Sequence, residues 1–499
     1  MKTLPLTQTP RRWYWFFVFA VALLAGFSST CFAQDEDQDL TPAALPSTKA
    51  GAQLKWVLEV VNGREMGDPK EKFTERFLEM VPPEDLRKSL TSLREKSFAG
   101  AKIVLHRLMA DEERDDTISG IVRGEGTKRA LAVFLITDDK TGKISGLRFA
   151  PAGRLGGDAG DWNSFQGDLG KLDGGVSFGA YELVPKNAQE PKGELALKPI
   201  YEFGEDKRLA IGSTFKLYVL GALAEQIAKG DLSWDDKLAI KDSLKSLPSG
   251  VMHLSPAGTE LPISEYADKM ISISDNTAAG HLLDKAGRAR VEDYMARLNA
   301  GADRSRPFLS PREMFIIKLN KDKTLADRYA QANEDARRTM LAEGGDVNKG
   351  GLDLLHVGDW KDPIHIDDIE WFATAPECCR VMADLRRLEQ LPHMEPLGHA
   401  LRINPGIPFD KKTWPSVAFK GGSEPGVMNL TWLLEREDGR WFTLSVGWNN
   451  PKEALKEDRL IELAQKGVAI LEKEGKGKEP TPPPAPKDKE APRDLNDGN

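Results

Sequence analysis

Two spacings of hydrophobic residues divide the part of the chain that follows residue 50. From Leu54 the apolar positions recur at helical spacing in "LKWVLEVVNG", "EKFTERFLEMV" and "PPEDLRKSLTSLREKS". Pro82 and Pro83 fit the first turn of the third helix, where a missing N–H costs little. Strand-like runs follow in "AKIVLHRLMA", "DTISGIVRG", "RALAVFLITDD" and "KISGLRFAP", with "DDKTGK" as a turn. This order predicts a small α+β domain over residues 51–152, with helices first and an antiparallel meander second.

A larger unit is predicted over residues 161–475, after a Gly-rich linker at residues 153–160. It opens with a short helix and a hairpin containing "GVSFGAYELV", and its middle is helical. It ends in the strand-like runs "PSVAFKGG", "VMNLTWLLERE" and "WFTLSVGWNN" and in an amphipathic helix within "KEALKEDRLIELAQKGVAILEKEG". The pattern therefore predicts an α/β (α+β) protein with two folded units.

The first residues carry the pattern of an export signal. Arg11 and Arg12 precede the apolar run "WYWFFVFAVALLAGF", and small residues then lead to "CFAQ". This pattern predicts a signal peptide over residues 1–33, cleaved after Ala33, and an exported, periplasmic or extracellular protein. A retained membrane anchor is the alternative, although the apolar run is short for a membrane span. Cys31 lacks the apolar residue three positions earlier that lipidation usually requires, so we expect no lipid anchor there.

Two further segments are predicted to lack a packed core. Residues 34–50 are acidic and contain Pro and Thr, which indicates a flexible leader. Residues 476–499 are rich in Pro and Lys, which indicates a disordered tail, with a spacer that associates with a cell wall as the alternative.

Composition narrows the class of function. Hydrophobic residues make up 40% and charged residues 29% of the chain, proportions typical of soluble globular domains. The net charge is −8, and loss of the three basic residues of the signal makes it −11, which disfavours a nucleic-acid partner. Outside the signal only Cys378 and Cys379 remain, and adjacent cysteines pair only with strain. We therefore expect two buried thiols and no disulfide framework.

Ser213 and Lys216 lie at the start of an apolar run in "AIGSTFKLYVLGAL" and supply a candidate nucleophile and base. Residues three apart share a face of a helix. A serine hydroxyl becomes nucleophilic when a base takes its proton, and a lysine can do so when desolvation or cationic neighbours lower its pKa. A helix N-terminus would also stabilise an oxyanion. The spacing alone is a weak signal, and a helix-capping serine beside a solvated lysine is the plainer alternative.

Two later fragments supply what such a pair needs. In "SISDNTAAGHLL", Ser274 can relay protons, and the Asn276 amide can hold a lysine and donate to a substrate carbonyl. In "VAFKGGSEPGV", Lys420 ends a strand before two glycines, which suits an edge strand on which a ligand lies closely. Its charge could hold a substrate carboxylate and polarise Ser274. Taken singly, the first fragment is also explained as a capped helix start and the second as an ordinary turn.

Together and in this order, "RLAIGSTFK", "SISDNTAA" and "FKGGS" resemble the motifs of class A β-lactamases and their relatives the penicillin-binding proteins. The resemblance spans the second unit and implies an antiparallel sheet flanked by helices and an acyl-enzyme mechanism. It assigns Ser213 as the nucleophile, Lys216 as its base or proton relay and Ser274 as the proton shuttle. It assigns Asn276 as a ligand of substrate and lysine, and Lys420 as the anchor of a substrate carboxylate.

The same resemblance assigns residues that would bind the substrate. The backbone N–H groups of Ser213 and Ser423 would form the oxyanion hole, beside Gly421 and Gly422 of the same strand. Gly421 stands where the family usually has a hydroxyl residue, so one donor to a substrate carboxylate is missing.

A second departure concerns deacylation. Class A enzymes carry a Glu-x-x-Leu-Asn motif whose glutamate activates the deacylating water. Here the region reads "RSRPFLSPREMFIIKLN", in which Glu313 is the nearest candidate, but its spacing to Leu319 and Asn320 is wrong. We therefore expect an acyl-enzyme that clears slowly, as in a penicillin-binding protein.

The two-unit layout resembles a β-lactamase-related group that includes a protein of the clavulanic acid cluster and mycobacterial lipoproteins. This likeness implies an NTF2-like (steroid-isomerase-like), cone-shaped first domain and weak esterase activity in the second. Phe419 and Met428 would line the pocket of such a protein. The first unit contains no acid–base pair, and we interpret its lone His106 as a strand residue and the unit as an accessory domain whose partner is unknown.

Three functions follow as candidates. The first is a serine hydrolase acting on small molecules, either β-lactams or related esters and amides; the second is a D-Ala-D-Ala-type peptidase; the third is a non-catalytic binding protein that retains the pocket. We expect no cofactor and no metal, because no histidine pair has helical His-x-x-x-His spacing. The residues that suggested a metal site were His356, His365, Asp367 and Asp368.

Overall fold

A computed structural model describes residues 43–476, apart from residues 109–114, 128, 139, 155–158, 188, 191–192, 302–304, 321, 323, 348–359 and 408. Several sequence predictions lie outside the described residues and stay predictions: the signal peptide with Cys31, most of the leader, the centre of the linker, His356 and the tail beyond residue 476.

The N-terminal unit packs helices against a four-stranded antiparallel sheet. One core joins the helices to one face of the sheet and includes Leu54, Leu90, Val122 and Val133. The predicted order of helices followed by a meander is confirmed. The elements are α1 (Lys49–Val61), α2 (Pro69–Lys72), α3 (Glu75–Met80), α4 (Pro83–Phe98), β1 (Ile103–Leu108), β2 (Thr117–Gly124), β3 (Arg129–Thr137) and β4 (Ile144–Arg154).

Helix caps explain where this unit departs from the hydrophobic pattern. Helix α1 begins at Lys49, inside the predicted leader, because the Thr48 hydroxyl accepts a hydrogen bond from the Gly51 N–H (3.0 Å). The run "EKFTERFLEMV" forms two helices rather than one, because the Thr74 hydroxyl caps a second start by accepting from the Phe77 N–H (3.2 Å). At the other end of the unit, strand β4 continues past residue 152, so the first residues of the predicted linker are strand.

The C-terminal unit is built on a five-stranded antiparallel sheet in the order β11-β12-β13-β5-β6. Its strands are β5 (Gly175–Pro185), β6 (Leu195–Phe203), β7 (Leu209–Ala210), β8 (Lys237–Ala239), β9 (Glu260–Pro262), β10 (Phe372–Ala373), β11 (Ser416–Glu424), β12 (Val427–Glu435) and β13 (Trp441–Asn449). Its helices are α5 (Trp162–Leu169), α6 (Lys216–Ala228), α7 (Ile263–Ser272), α8 (Asn276–Ala286), α9 (Arg288–Arg297), α10 (Pro311–Leu319), α11 (Thr324–Gln331), α12 (Glu334–Leu341), α13 (Ala375–Leu388), α14 (Glu395–Arg402) and α15 (Glu457–Lys473).

Each face of this sheet has its own core. Ala418 and Leu433 belong to the core that contains α6 and α13, whereas Trp432 and Leu444 belong to the core that contains α5 and α15. Successive side chains of a strand point to opposite faces of the sheet, so neighbouring residues of one strand belong to different cores. The predicted antiparallel sheet flanked by helices is confirmed, and strand β11 lies at its edge, as predicted for the strand of Lys420. The prediction that Lys420 ends this strand is wrong, because the residues from Gly421 to Glu424 continue to pair with β12 and leave Lys420 in the middle of β11.

Both cysteines outside the predicted signal are free and buried in α13, as predicted. Desolvation is the main reason that the pKa of the Cys378 thiol is raised to about 12, which keeps it protonated and unreactive. Within the described part of the chain, no helix has the length and apolar character needed to cross a membrane.

Candidate active site

Ser213 and Lys216 meet where a short 3-10 helix, Gly212–Phe215, runs directly into α6. Strand β7 leads into this turn and pairs with β10. The Ser213 side chain is half-buried, whereas Lys216 is fully buried. Lys216 Nζ lies 3.1 Å from Ser213 Oγ, so the turn brings the predicted nucleophile within hydrogen-bond distance of the predicted base.

Lys216 Nζ contacts four oxygen atoms of the described residues, and none of the four belongs to a carboxylate. Two of them are acceptors only: the Ser274 carbonyl oxygen and Asn276 Oδ1, each at 2.7 Å. The other two are the hydroxyls of Ser274, at 3.0 Å, and Ser213, at 3.1 Å. A neutral amine has two N–H donors and one lone pair, which matches two obligate acceptors and a hydroxyl that can donate. The arrangement therefore suits an amine that receives the Ser213 proton.

The electrostatics favour the neutral form of this lysine. Desolvation lowers the pKa of Lys216 well below its ordinary value, and the nearby charge of Lys420 lowers it further. The Asp275 carboxylate acts in the opposite direction but is the smallest of these influences. A buried lysine with a lowered pKa can act as a general base near neutral pH.

Ser274 is held in a tight turn before α8. Its φ of 58° lies in the left-handed region, which costs a non-glycine residue about 1–3 kcal/mol. The buried Asp275 side chain fixes this turn by accepting from the backbone N–H groups of Val251 (2.6 Å), Met252 (2.8 Å) and Ala278 (2.9 Å). The strained serine is therefore positioned by a carboxylate with three donors, a role that the sequence analysis left to helix capping.

Strand β11 brings the second lysine to the same serine. Lys420 Nζ donates to Ser274 Oγ at 3.1 Å and also to the carbonyl oxygen of Gly421. Ser274 Oγ consequently lies between the two lysine side chains, at 3.0 Å from Lys216 Nζ. This geometry permits proton transfer between Lys216 and a group bound beside Ser274, with Lys420 holding the shuttle hydroxyl in place.

Glycines allow strand β11 to approach the Ser213 turn closely. A β-carbon on Gly422 would lie 2.3 Å from the Ser213 backbone nitrogen and 2.2 Å from the Ile211 carbonyl oxygen. A β-carbon on Gly212, whose φ is 47°, would lie 3.0 Å from the Ser423 backbone nitrogen. A residue with a β-carbon therefore does not fit at Gly422. This close approach of the two backbones brings the nitrogens of Ser213 and Ser423 near each other.

Residues of β11 and β12 on the other face of the sheet are not brought to this cluster. Phe419 faces Trp432 across the strand pair, and Ser423 faces Met428. Met428 is buried in the core that contains α15, and the half-buried Phe419 ring packs against Trp432 at 4.9 Å. Since residues alternate between faces, Lys420 and Gly422 point toward α6, whereas the side chains of Phe419 and Met428 point away from Lys216.

Glu313 serves a local structural purpose. One of its oxygens accepts from the Ser310 N–H (2.7 Å) in the capping box that starts α10, and the other pairs with Arg288 (2.6 Å). Both carboxylate oxygens are thus engaged by Ser310 and Arg288, and the spacing to Leu319 and Asn320 in the sequence is also wrong for the motif.

The histidine and aspartate residues considered for a metal do not converge in the described part of the chain. His365 lies 3.4 Å from Asp327 and 3.6 Å from Asp368, and no group of three or more His, Cys, Asp or Glu side chains there could hold a metal ion.

Asn449 and Trp371, which the sequence did not point to, hold the residues on either side of Ser213. The Asn449 side-chain amide bonds both backbone groups of Ala210: its Oδ1 accepts from the Ala210 N–H (2.7 Å), and its Nδ2 donates to the Ala210 carbonyl oxygen (3.0 Å). The Trp371 carbonyl accepts from the Ile211 N–H (3.0 Å), and its ring stacks on Phe215 at 3.8 Å. A buried amide at the end of the strand "WFTLSVGWNN" is the signal that could have indicated the first contact.

Two family models match parts of this chain. The model of the Beta-lactamase enzyme family matches residues 194–340, and a second model, described as ORF 12 gene product N-terminal, matches residues 45–99. No curated protein matches the chain.

Solved structures similar to this chain include β-lactamases and a protein named PBP-A. The β-lactamase from Sphaerobacter thermophilus is 18% identical, with coverage of 62% of this chain and 97% of that one and a TM-score of 0.41. The β-lactamase from Francisella tularensis is 16% identical, with coverages of 62% and 96% and a TM-score of 0.40. PBP-A is 13% identical, with coverages of 62% and 94% and a TM-score of 0.41.

The family match begins in β6 and ends in α12, and it includes the turn of Ser213 and the turn of Ser274. Lys420 lies beyond it and reaches Ser274 through the edge strand of the sheet. The C-terminal unit therefore has a β-lactamase-like fold, with helices on both faces of an antiparallel sheet.

Proposed function

We propose that this protein is an exported serine hydrolase that acts through an acyl-enzyme on Ser213, on β-lactams or related esters and amides. The observation that carries the proposal is the environment of Lys216: a fully buried amine, 3.1 Å from Ser213 Oγ, whose obligate acceptors are already supplied by Ser274 and Asn276. A serine with an adjacent desolvated base is the requirement for nucleophilic catalysis at neutral pH.

Acylation follows from these positions. Ser213 Oγ attacks the substrate carbonyl carbon as its proton passes to Lys216 Nζ, and the backbone N–H groups of Ser213 and Ser423 stabilise the oxyanion. The C–N or C–O bond to the leaving group then breaks. The proton passes from Lys216 through Ser274 Oγ to the leaving nitrogen or oxygen, so the lysine is neutral again. Lys420 attracts a substrate carboxylate and keeps Ser274 oriented.

Deacylation is the slower half of the proposed reaction. Glu313 is committed to Arg288 and Ser310, so it does not activate a water, and Gly421 offers no hydroxyl to a β-lactam carboxylate. The first feature favours trapping of a β-lactam, as in a penicillin-binding protein, whereas the second weakens the hold on its carboxylate. A D-Ala-D-Ala-type peptidase is therefore the second candidate, and release of D-alanine from a muramyl peptide is the observation that would select it. A non-catalytic binding protein is the third.

The surface near Ser274 favours an ester with an apolar acyl group among the candidate substrates. Ile273 and Ile403 are 37% and 38% exposed, and the Asn404 side chain donates to the Ser272 carbonyl at 3.0 Å, which brings their two segments together. Leu254, 44% exposed, follows the backbone that Asp275 holds. Exposed apolar side chains beside a reactive serine suit an apolar substrate.

Intact-mass spectrometry tests the proposal. The protein without residues 1–33 is incubated with a fluorescent penicillin, with nitrocefin and with p-nitrophenyl esters of increasing acyl length, beside a Ser213→Ala variant. We expect an adduct or ester turnover in the parent and neither in Ser213→Ala. The lifetime of the adduct separates a hydrolase from a penicillin-binding protein. A parent that forms no adduct and turns over no substrate would contradict the hydrolase and favour the binding protein.

The export of the chain, an association with a cell wall and the NTF2-like character of the N-terminal unit belong to the same proposal. The signal-like residues 1–33 support export, and the Pro/Lys-rich tail supports an extracytoplasmic spacer. We assign the N-terminal unit an accessory role with a partner still to be identified.

A further inference from the structure

A second lysine of the C-terminal unit, Lys318, is buried between two carboxyl groups. Lys318 Nζ lies 2.9 Å from Glu370 Oε1 and also contacts Glu424 Oε1. The exposed fractions of the three side chains are 0%, 0% and 2%. We call Lys318, Glu370 and Glu424 the buried triad; none of the three has a role in the reaction proposed above.

The buried triad ties together three segments that border the Ser213 turn. Lys318 belongs to the last turn of α10. Glu370 precedes Trp371, whose N–H contacts Glu370 Oε2 (3.1 Å) and whose carbonyl accepts from the Ile211 N–H (3.0 Å). Glu424 ends β11 immediately after Ser423.

Burying three ionisable groups is expensive, and a buried ion cluster is often no more stable than apolar residues of the same volume. A geometric role is therefore a better explanation than stability for a cluster at this place. Glu424 follows Ser423 directly in β11. The carbonyl of Trp371, the residue after Glu370, holds the Ile211 N–H two residues before Ser213. The backbone nitrogens of Ser213 and Ser423 approach each other at Gly212 and Gly422.

We propose that the buried triad is a positioning device that holds the Ser423 end of β11 against the Ser213 turn and so sets the spacing of the oxyanion hole. The inference rests on the proposed acyl transfer at Ser213. Its three members are positioning residues, because they act through the backbone of Ser423 and, by way of Trp371, of Ile211.

Charge counting makes this inference testable. The triad has two carboxyl groups for one ammonium group, so one carboxyl is best accommodated as the neutral acid. Burial and the facing Glu370 raise the pKa of Glu424 well above its ordinary value, and Lys318 is the cation that faces both. Glu370→Gln or Glu424→Gln alone therefore leaves one carboxylate for Lys318. The double variant leaves a buried ammonium group without a counter-charge.

Four variants are compared with the parent. They are the single variants Glu370→Gln and Glu424→Gln, the double variant Glu370→Gln/Glu424→Gln, and the triple variant Lys318→Met/Glu370→Gln/Glu424→Gln. We expect the acylation rate constant to fall less than about tenfold in each single variant and about a hundredfold in the double, the size of losing one oxyanion donor. The dissociation constant of the complex that precedes acylation should stay the same. In the triple variant an apolar side chain replaces the unpaired ammonium, so the unfolding midpoint should recover while acylation stays slow.

Recovery of acylation together with the unfolding midpoint in the triple variant would overturn the inference, because the triad would then act on stability alone. The matched control is Asp438→Asn, which removes the carboxylate from the buried Arg436 in the turn between β12 and β13. It should change stability and leave the acylation rate within about twofold of the parent.

Amide hydrogen exchange separates failure of this inference from failure of the proposed function. The Ile211 N–H and the amides of residues 420–424 should exchange faster in the triple variant than in the parent at equal global stability. Unchanged protection of these amides would overturn the inference even in a protein that forms no acyl-enzyme. In such a protein, faster exchange would still support the positioning role. The missing acyl-enzyme would then contradict only the hydrolase proposal.

Discussion

Lys216 and Lys318 are both fully buried in the C-terminal unit, yet their surroundings are opposite. Lys216 Nζ contacts two hydroxyls, an amide oxygen and a backbone carbonyl, with Lys420 nearby. Lys318 Nζ contacts two carboxyl groups. Burial lowers the pKa of the first, whereas the two facing carboxyl groups, those of Glu370 and Glu424, outweigh burial and raise the pKa of the second.

This comparison shows that burial alone does not make a lysine a base. Neutral acceptors satisfy the N–H groups of Lys216 but do not stabilise a positive charge as a carboxylate would. The amine therefore stays neutral and can take a proton from Ser213. Carboxylates hold Lys318 as an ammonium, which fixes geometry and gives no base. The same side chain thus serves chemistry in one place and, by our inference, position in the other.

The largest expected effect is on catalysis. Lys216→Met removes the base from Ser213 and should lower the acylation rate about a thousandfold, the usual contribution of general-base catalysis. The measurement is the rate of adduct formation with a fluorescent penicillin or an ester. Lys216→Arg is the matched control, because a guanidinium stays charged and should not restore the rate. Retention of the rate in either variant would contradict the role of Lys216.

The next effect is on stability. Lys318→Met leaves two buried carboxyl groups without their cation and should lower the free energy of unfolding by about 3–5 kcal/mol. Lys216→Met loses no counter-charge and should cost only the unsatisfied acceptors, about 1–3 kcal/mol. Denaturant unfolding measures both. Equal losses in the two variants would mean that the two lysines do not differ in charge.

Asn276→Asp would give Lys216 a carboxylate neighbour like those that surround Lys318. The new carboxylate takes the place of the amide oxygen that lies 2.7 Å from Lys216 Nζ, so the pKa of Lys216 should rise. The rate of acylation, which increases as Lys216 loses its proton, should then reach half of its maximum at a correspondingly higher pH. An unshifted pH–rate profile would contradict the assignment of Lys216 as the titrating base.

The last expected effect is a slope of stability with pH, which is the smallest of these effects over a single pH unit. Because the pKa of Glu424 is raised, the folded state keeps a proton that the unfolded chain releases near pH 4.3, so stability falls as pH rises above that value. Glu424→Gln should remove this fall, which for one proton amounts to at most about 1.4 kcal/mol per pH unit. Unfolding at pH 5 to 8 measures the difference from the parent.

Asp168→Asn is the control for that slope. Its pairing with Lys466 lowers the pKa of Asp168, so the stability it contributes is present above about pH 3.9 and is lost only as pH falls further. Its effect should therefore be constant from pH 5 to 8. A difference between Glu424→Gln and the parent that is equally constant would show that Glu424 is ionised in the folded protein.

Local patterns predicted much of the fold because they depend on near neighbours. Alternation in "VMNLTWLLERE" and "WFTLSVGWNN" gave the central strands, and the helix-then-meander order of the N-terminal unit followed from spacing. The pattern was wrong where a single side chain decided a boundary, as when Thr74 split the helical run before α3. A cap depends on one hydroxyl, which hydrophobic spacing does not record.

The sequence by itself determined the two folded units and the residues that could form a serine–lysine site, because motif spacing fixes which side chains share a turn. Only the tertiary structure decided their surroundings. It placed Lys216 among neutral acceptors and Lys318 between Glu370 and Glu424, and it turned Phe419 and Met428 to the other face of the sheet. These contacts join residues from 50 to more than 100 positions apart, and no local pattern specifies which of them will meet.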